Sequence, residues 1–267
     1  MKAAVFLGVA LAMAVAAAGC TGTGPEGVLP NDTRVADGGA RETLTLFSAA
    51  TQTLLDETSA NVSRAAVELG RTGLAGSAAD AVLANLSGSA VFVIDAITYN
   101  AEGRVVAAAP DGSASLVGAN LMGPTTPPDF YKDAYLGPYG RLAEGFEGVA
   151  LGYPVADANG TAIGGVSVAM RPELLLEGPA HDARMGRPLS LFAVQPDGII
   201  VYADDLALVG RQASQPGSGI AGLASEIVGR PSGASSHRPA NSGADRVVAW
   251  ETVGLHGTEW RVVVVQR

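Results

Sequence analysis

The chain has 267 residues, 48% of them apolar, which is enough for two domains of ordinary size that each bury a hydrophobic core. Its formal net charge is −9, and an acidic surface argues against partners such as nucleic acid or anionic lipid. Cys20 is the only cysteine, which excludes an internal disulfide.

The N-terminus has the pattern of an export signal. Lys2 precedes an Ala-rich apolar run over residues 3–18 that is too short for a membrane span. The run ends in Ala17-Ala18-Gly19-Cys20, which resembles the lipobox of secreted lipoproteins. We therefore predict a signal peptide over residues 1–19, followed by a lipidated Cys20 and a flexible tether over residues 20–40. The alternatives are an ordinary signal peptide cleaved near Ala18 and an uncleaved anchor.

Residues 41–89 are predicted to form a stalk helix and a shorter packing helix. Apolar residues recur at helical spacing from Leu44 to Leu69, and Gly70 and Gly73 are expected to end the long helix. The shorter helix is predicted over about residues 78–86.

Residues 90–170 have the pattern of an antiparallel sheet with an insertion. Hairpin signals at Glu102-Gly103 and Asn159-Gly160 each separate two apolar, strand-like runs. The predicted strands cover residues 90–99, 104–109, 146–155 and 161–170. The irregular, Pro-containing segment 110–139 lies between the two hairpins, and long irregular segments in compact domains are often functional.

Residues 171–187 are predicted to form a linking helix, which Gly178-Pro179 should break. Residues 188–267 then repeat the pattern of the first module in a smaller form. The predicted strands of this second module cover residues 189–194, 199–203, 246–252 and 259–266, with a helix near 220–228 and a loop over 229–243.

The spacing between the turn glycines is nearly the same in the two modules. Gly103 and Gly160 are 57 residues apart in the first module, and Gly198 and Gly257 are 59 residues apart in the second. We therefore predict an α/β (α+β) fold with a long N-terminal helix and two tandem PAS-like modules, each an antiparallel sheet with a helical insertion. A repeated module without a catalytic pattern indicates ligand sensing.

Several segments, taken in order and spacing, resemble the Cache family of extracytoplasmic sensors in its double-module form. They are Tyr99–Val106, Val117–Leu121, Phe130–Ala134, Gly152–Val155 and Asn159–Val166 in the first module, and Pro196–Tyr202 and Val209-Gly210 in the second. The resemblance implies that the first module is membrane-distal and binds a small metabolite, and that the long helix is a dimer-forming stalk.

The resemblance also indicates what the site lacks. Phe130-Tyr131 is similar to a Trp-Tyr ligand segment, but Pro128 stands where amino-acid-binding members have Arg. The end of the last strand reads Val168-Ala169-Met170, where such members have an Asp. The groups expected to pair with an α-carboxylate and an α-amine are thus missing from their usual positions, which implies a less charged ligand or none.

The candidate ligand-binding residues are aromatic or charged side chains in or near the predicted distal module's insertion and strands. They are Tyr131, Phe130, Tyr99, Tyr135, Tyr139, Arg141, Tyr153 and Asp157. The alternative is that the tyrosines pack the insertion against the sheet and that Asp157 forms a turn.

Catalysis has little support in the sequence. The three histidines, His181, His237 and His256, have no metal-ligand spacing, and no nucleophile elbow, phosphate loop or Cys-His pair is present. We therefore predict a protein that is not an enzyme and has no cofactor or metal.

The sequence as a whole predicts a lipid-anchored, extracytoplasmic small-molecule sensor of double Cache type. It would be held at the membrane by lipid on Cys20 and would pass its ligand state to a membrane signalling or transport protein, as a possible homodimer through the long helix. The alternative is a ligand-free structural or protein-interaction module at the cell surface.

Overall fold

A computed structural model describes residues 38–122, 132–237 and 246–266. Within these ranges the helices are α1 (Gly38–Thr72), α2 (Ser77–Ser87), α3 (Pro172–Arg184) and α4 (Ala224–Gly229). The strands of the first module are β1 (Val93–Asn100), β2 (Val105–Ala109), β3 (Tyr135–Leu136), β4 (Gly140–Arg141), β5 (Glu147–Ala156) and β6 (Ala162–Met170). Those of the second are β7 (Leu189–Val194), β8 (Ile200–Ala203), β9 (Gly233–His237), β10 (Arg246–Leu255) and β11 (Thr258–Gln266).

The two sheets have the same topology, which confirms the predicted tandem fold. The first runs β2-β1-β6-β5-β3, with β4 also on β5, and the second runs β8-β7-β11-β10-β9. Adjacent strands are antiparallel throughout. All four repeat glycines (103, 160, 198 and 257) have φ between 75° and 89°, a conformation that a Cβ disfavours.

α1 joins the two modules into one core. Its buried stripe contacts β5 and β6 of the first sheet and β10 and β11 of the second. Phe47, Leu55 and Leu69 are fully buried along this stripe, and burial of each such side chain stabilises the fold by about 1.5–3 kcal/mol. Gln52 adds a polar contact, because its side-chain amide exchanges two hydrogen bonds of 2.9 and 3.0 Å with the backbone of Gly254.

α1 ends at Thr72, two residues after Gly70 and directly before Gly73, the later of the two glycines predicted to end it. Gly70 lies inside the helix, where a Cβ would fall 2.2 Å from the carbonyl oxygen of Ala156, so glycine here permits close approach to β5. Gly73 ends the helix with φ of 91° and donates its N–H to the Leu69 carbonyl at 2.8 Å.

The break predicted at Gly178-Pro179 does not occur. α3 runs continuously from Pro172 to Arg184 with Pro179 inside it. Four buried apolar residues (Leu175, Leu176, Ala180 and Ala183) anchor the helix on both sides of the proline, so tertiary packing offsets the lost hydrogen bond.

Part of the segment predicted as a loop over residues 229–243 is a strand. β9 pairs with β10 and closes the edge of the second sheet. A Cβ at Gly233 would lie 2.4 Å from the indole ring of Trp250, so the glycine lets the strand pass over this buried ring. The rest of the predicted loop, from residue 238 onward, lies outside the described residues.

Candidate ligand-binding site

β1 divides its side chains between the two faces of the first sheet. Ala96 lies in the core shared with the helices, and the Thr98 hydroxyl donates to the Leu74 carbonyl at 2.5 Å. Because side chains alternate along a strand, Asp95 and Tyr99 point to the opposite face, which we call the distal face. The distal face lies on the side of the sheet away from α1, and it carries the polar side chains described below.

Two tyrosine rings occupy the distal face where the neighbouring strands carry glycine. Tyr99 lies opposite Gly165, and a Cβ at Gly165 would fall 2.4 Å from the Tyr99 hydroxyl oxygen. Tyr135 lies opposite Gly152, and a Cβ there would fall 2.4 Å from the Tyr135 ring. Because the two glycines have no side chain, the two rings can pack directly on the backbone of the sheet.

The hydroxyl groups on the distal face form a connected cluster. Tyr135 donates to the Ser167 hydroxyl at 3.3 Å, and Tyr99 interacts electrostatically with Tyr135. Burial raises the pKa of both phenols, so both keep their O–H protons at neutral pH. The cluster thus offers hydroxyl donors and acceptors and two aromatic surfaces.

Asp95 supplies the acidic group of this face. Its side chain is 1% exposed, and its Oδ1 atom has no hydrogen-bond partner among the described residues. Burial, and then the negative charge of Glu144, raise the pKa of Asp95 to about 7, against opposing hydrogen bonds from the Ala169 backbone and the Ser113 hydroxyl. A buried carboxyl beside a second acid is an arrangement that a bound cation would stabilise.

The structure brings together only some of the residues predicted from sequence. Tyr99 and Tyr135 meet on the distal face. Phe130, Tyr131 and the lipidation residue Cys20 lie outside the described residues.

Tyr139 contacts the second module, and Arg141 follows it on β4. The Tyr139 N–H donates to the Gln195 side-chain oxygen at 2.8 Å, and its ring packs against Gly210. Burial, followed by the charges of Glu173 and Glu147, raises the pKa of Tyr139 to about 12. Arg141 is exposed on β4.

Tyr153 and Asp157 also lie away from the distal face. The Tyr153 hydroxyl is 2.5 Å from the Ser59 hydroxyl on α1 and 3.0 Å from Nε2 of His256, in the β10–β11 turn. Asp157 accepts the N–H groups of Asn159 and Thr161, both at 2.9 Å, and so closes the β5–β6 turn.

Sequence reasoning missed the acidic residue of the site. Asp95 is the one charged residue of a mostly apolar strand and lies in phase with Ile97 and Tyr99, and this alternation was the available signal. Ser113, Glu144 and Ser167 join the site only through the fold, because the first two lie between β2 and β5 and the third lies on β6.

Among residues 38–122, 132–237 and 246–266, no helix is both long and apolar enough to cross a bilayer. Within the same ranges, no cluster of three or more His, Cys, Asp or Glu side chains is arranged to hold a metal ion.

The two tandem modules give the chain the fold of known sensor domains. Residues 53–172 match the family described as HK/GC/chemotaxis protein-like, sensor domain. The chain therefore has the double Cache architecture, and the match to this family of sensor domains covers its residues 53–172.

Solved structures with the same fold include receptors from several bacteria. An extracellular ligand binding receptor from Desulfohalobium retbaense is 25% identical, with a TM-score of 0.74 over 87% of this chain. This chain spans 41% of the length of that receptor.

Two ligand-binding domains of chemoreceptors are matched over almost their whole length. The domain of PctC from Pseudomonas aeruginosa, in complex with GABA, is 19% identical, with a TM-score of 0.59 over 85% of this chain and 97% of that one. The domain of CtaA from Pseudomonas fluorescens, in complex with L-serine, is 16% identical, with a TM-score of 0.57 over 84% of this chain and 94% of that one. A comparison with curated proteins finds no significant match.

Proposed function

We propose that this protein is a lipid-anchored, extracytoplasmic sensor that binds a small amine-bearing metabolite on the distal face and passes its ligand state to a membrane partner. The observation that carries the proposal is Asp95, a buried carboxyl with an unpaired oxygen beside a second acid. In this proposal Asp95 takes the role of the Asp that the sequence lacks at the end of the last strand.

The charge of the distal face favours a cation as ligand. Ionised Asp95 is disfavoured by burial and by Glu144, and an ammonium group next to it would relieve both effects. The rings of Tyr99 and Tyr135, which lie on the same face, would add favourable contacts with a ligand ammonium group, since cations bind favourably over aromatic rings. The two chemoreceptor domains of the same fold hold GABA and L-serine, which both carry an amine.

The insertion would complete the site. Phe130 and Tyr131 remain our proposed contacts from this segment, by their resemblance to the ligand segment of the Cache family. Tyr135 follows them closely in sequence, and its ring is already on the distal face. We assign Tyr139 and Tyr153 to contact between modules instead of ligand contact.

Ligand state would reach the second module through the strand that carries Tyr135. The carbonyl of the next residue, Leu136, accepts a hydrogen bond from the Thr258 hydroxyl at the start of β11. Three residues further on, the Tyr139 N–H donates to Gln195 in the β7–β8 turn. A ligand that shifts Tyr135 therefore acts on two direct contacts with the second module.

Attachment at the membrane rests on the N-terminal sequence. Ala17-Ala18-Gly19-Cys20 resembles a lipobox, so lipid on Cys20 would hold the sensor at the outer face of the membrane. Its membrane partner would be a signalling or transport protein, and pairing of α1 in a homodimer is one route to that partner. Replacing Cys20 with Ser should move the protein from the membrane fraction to the soluble fraction.

Isothermal titration tests the proposed ligand class. GABA and butyrate share the carboxylate and carbon chain, and differ in the amine. We expect GABA or L-serine to bind and butyrate not to bind. Asp95→Asn should weaken binding of the amine at least tenfold, because a charge-assisted hydrogen bond is lost.

Asp182→Asn is the matched control, since Asp182 is an exposed carboxylate on α3. It should leave the affinity unchanged. Equal amine affinity in wild type and Asp95→Asn would refute the role of Asp95. No heat with any of a broad set of amines would favour the alternative function, a protein-interaction module at the cell surface.

A further inference from the structure

The second module has a cavity at the position that corresponds to Asp95 in the first. Equivalent hydrogen bonds in the first turn of each module show which residues correspond. The Gly103 N–H donates to the Asn100 carbonyl, and the Gly198 N–H donates to the Gln195 carbonyl. In this alignment Ser190 on β7 takes the place of Asp95, and Ser190 lies opposite Val265 as Asp95 lies opposite Ala169.

Most of the corresponding face is filled in the second module. Trp250 stands where the first module has Gly152, and Val263 where it has Ser167. Ile220 and Ile227 from the second module's own insertion pack against Trp250 in an apolar cluster. No room is left there for a counterpart of the Tyr99–Tyr135 site.

The end of this face near Ser190 stays open as a pocket. Its volume is about 270 Å³, and its lining includes Ser190, Phe192, Asp204, Asp205, Arg246 and Val265. Backbone from the turn at Gly217 and Gly219, both with φ above 80°, forms another wall. A space of this size suits a small metabolite.

Two of the charged groups in the lining are already engaged. Asp204 forms an ion pair with Arg184, and its second oxygen accepts the Leu191 N–H at 3.1 Å. Asp205 accepts the Ala207 N–H at 3.0 Å through one oxygen. Within the described part of the chain, the Arg246 guanidinium has no hydrogen-bond or ion-pair partner.

We propose that this pocket is a second ligand site, which binds a small zwitterion through Arg246 and Asp205. Arg246 presents a planar guanidinium that matches a carboxylate, and Asp205 presents a carboxylate for an ammonium group. Because Asp204 and Asp205 are both acidic, the pocket disfavours a ligand that carries two negative charges. This proposal stands independently of the amine site in the first module.

Tryptophan fluorescence reports on the second module alone. Trp250 and Trp260 are the two tryptophans of the chain, and both lie on strands of the second sheet. Trp250 shares its apolar cluster with Phe192 and Val265 of the pocket lining. Titration of the full-length Asp95→Asn protein with glycine, acetate and methylamine therefore follows this pocket separately from the distal face.

We expect a saturable fluorescence change with glycine, a weaker one with acetate, and the weakest with methylamine. Adding Arg246→Gln should reduce glycine affinity at least tenfold. Adding Arg211→Gln, at an exposed arginine of the same module, should leave it unchanged. Absence of a saturable change with glycine, or equal glycine affinity with and without Arg246→Gln, would overturn the proposal.

Discussion

Asp95 on β1 lies directly opposite Ala169 on β6. The sequence of β6 offers no acid at its end, yet the neighbouring strand presents a carboxyl to the same part of the distal face. In the proposed site, Asp95 supplies from a different position in the chain the acidic group that the amino-acid-binding members have near the position of Ala169.

The burial of Asp95 predicts a specific dependence of stability on pH. Its pKa rises from 3.8 in the unfolded chain to about 7 in the folded protein, so the folded state binds more protons between these values. The contribution of Asp95 to the free energy of unfolding is therefore full below about pH 4 and is lost as the pH rises through 7. Asp95→Asn removes this dependence.

Urea denaturation of the unliganded wild type and Asp95→Asn from pH 4 to pH 8 measures the effect. The variant should gain stability relative to wild type as the pH rises, by about 2–4 kcal/mol at pH 8. A difference that stays constant over this range would contradict the buried state of Asp95.

The glycines beneath the tyrosine rings should be intolerant of alanine. Gly152→Ala would place a Cβ 2.4 Å from the Tyr135 ring, so the ring must move off the sheet. We expect a loss of about 1–3 kcal/mol in unfolding free energy and weaker binding of the amine ligand, measured by urea denaturation and calorimetry.

Gly178→Ala is the control for this substitution. A Cβ at Gly178 in α3 meets no atom within 4 Å, and alanine is a better helix former than glycine. This variant should gain up to about 1 kcal/mol in stability. Tolerance of alanine at Gly152, with unchanged ligand affinity, would show that the ring does not depend on that space.

The contact between Tyr153 and His256 should stabilise the junction of the two modules and α1. Tyr153→Phe removes a hydroxyl that is 2.5 Å from Ser59 and 3.0 Å from His256. We expect a loss of about 1 kcal/mol in unfolding free energy, the usual net value of a hydrogen bond. His256→Asn should cost a similar amount, since asparagine tolerates the φ of 51° found there.

The pH dependence of this contact has the opposite sign to that of Asp95. Burial lowers the pKa of His256, so the unfolded state binds more protons as the pH falls below 6.5. The difference between wild type and His256→Asn should therefore shrink on acidification. A difference that grows below pH 6 would mean that the protonated imidazole is the form that stabilises the junction.

The fold was predictable from sequence where local signals agree with tertiary packing. The turn glycines at 103, 160, 198 and 257 specify backbone conformations, so the hairpins and their repeat were visible without a structure. Pro179 shows where local reasoning fails, since its helix is maintained by buried residues on either side. β9 was missed because small residues such as Gly233 resemble a loop until the ring they pack against is known.

The candidate site was less predictable because it depends on which side chains share a face. Tyr99 and Tyr135 were found as aromatic residues near the insertion, and both lie on the distal face. Tyr139 and Tyr153 are tyrosines of the same region and looked equally suitable in the sequence, but they contact the second module. A lone Asp95 in an apolar strand becomes informative only when the register shows it opposite Ala169.

Transmission through Leu136 predicts that ligand binding and its effect on the second module can be separated. Thr258→Val removes the hydroxyl that donates to the Leu136 carbonyl and keeps the shape of the side chain. Amine affinity should stay within about threefold, because the Thr258 hydroxyl is not a proposed ligand contact and a single hydrogen bond contributes about 1 kcal/mol. Hydrogen exchange should show ligand-induced protection of β10 and β11 in wild type and its loss in the variant.

Unchanged protection in Thr258→Val would direct attention to the Tyr139–Gln195 contact as the route between the modules. Loss of protection in both Thr258→Val and Gln195→Ala, with ligand still bound, would show that the two contacts act together.

The most direct test of the central claim is the affinity for GABA as a function of pH from 5.5 to 8.5. An alkyl ammonium such as that of GABA titrates near that of lysine, at about 10.4, so the ligand's amine stays charged over this range. We predict that the wild-type affinity falls nearly tenfold per unit below about pH 7 and levels off above it, as Asp95 ionises. Asp95→Asn should bind at least tenfold more weakly at pH 8, with no such dependence. A flat wild-type profile, or coinciding profiles for the two proteins, would contradict an amine site built on Asp95.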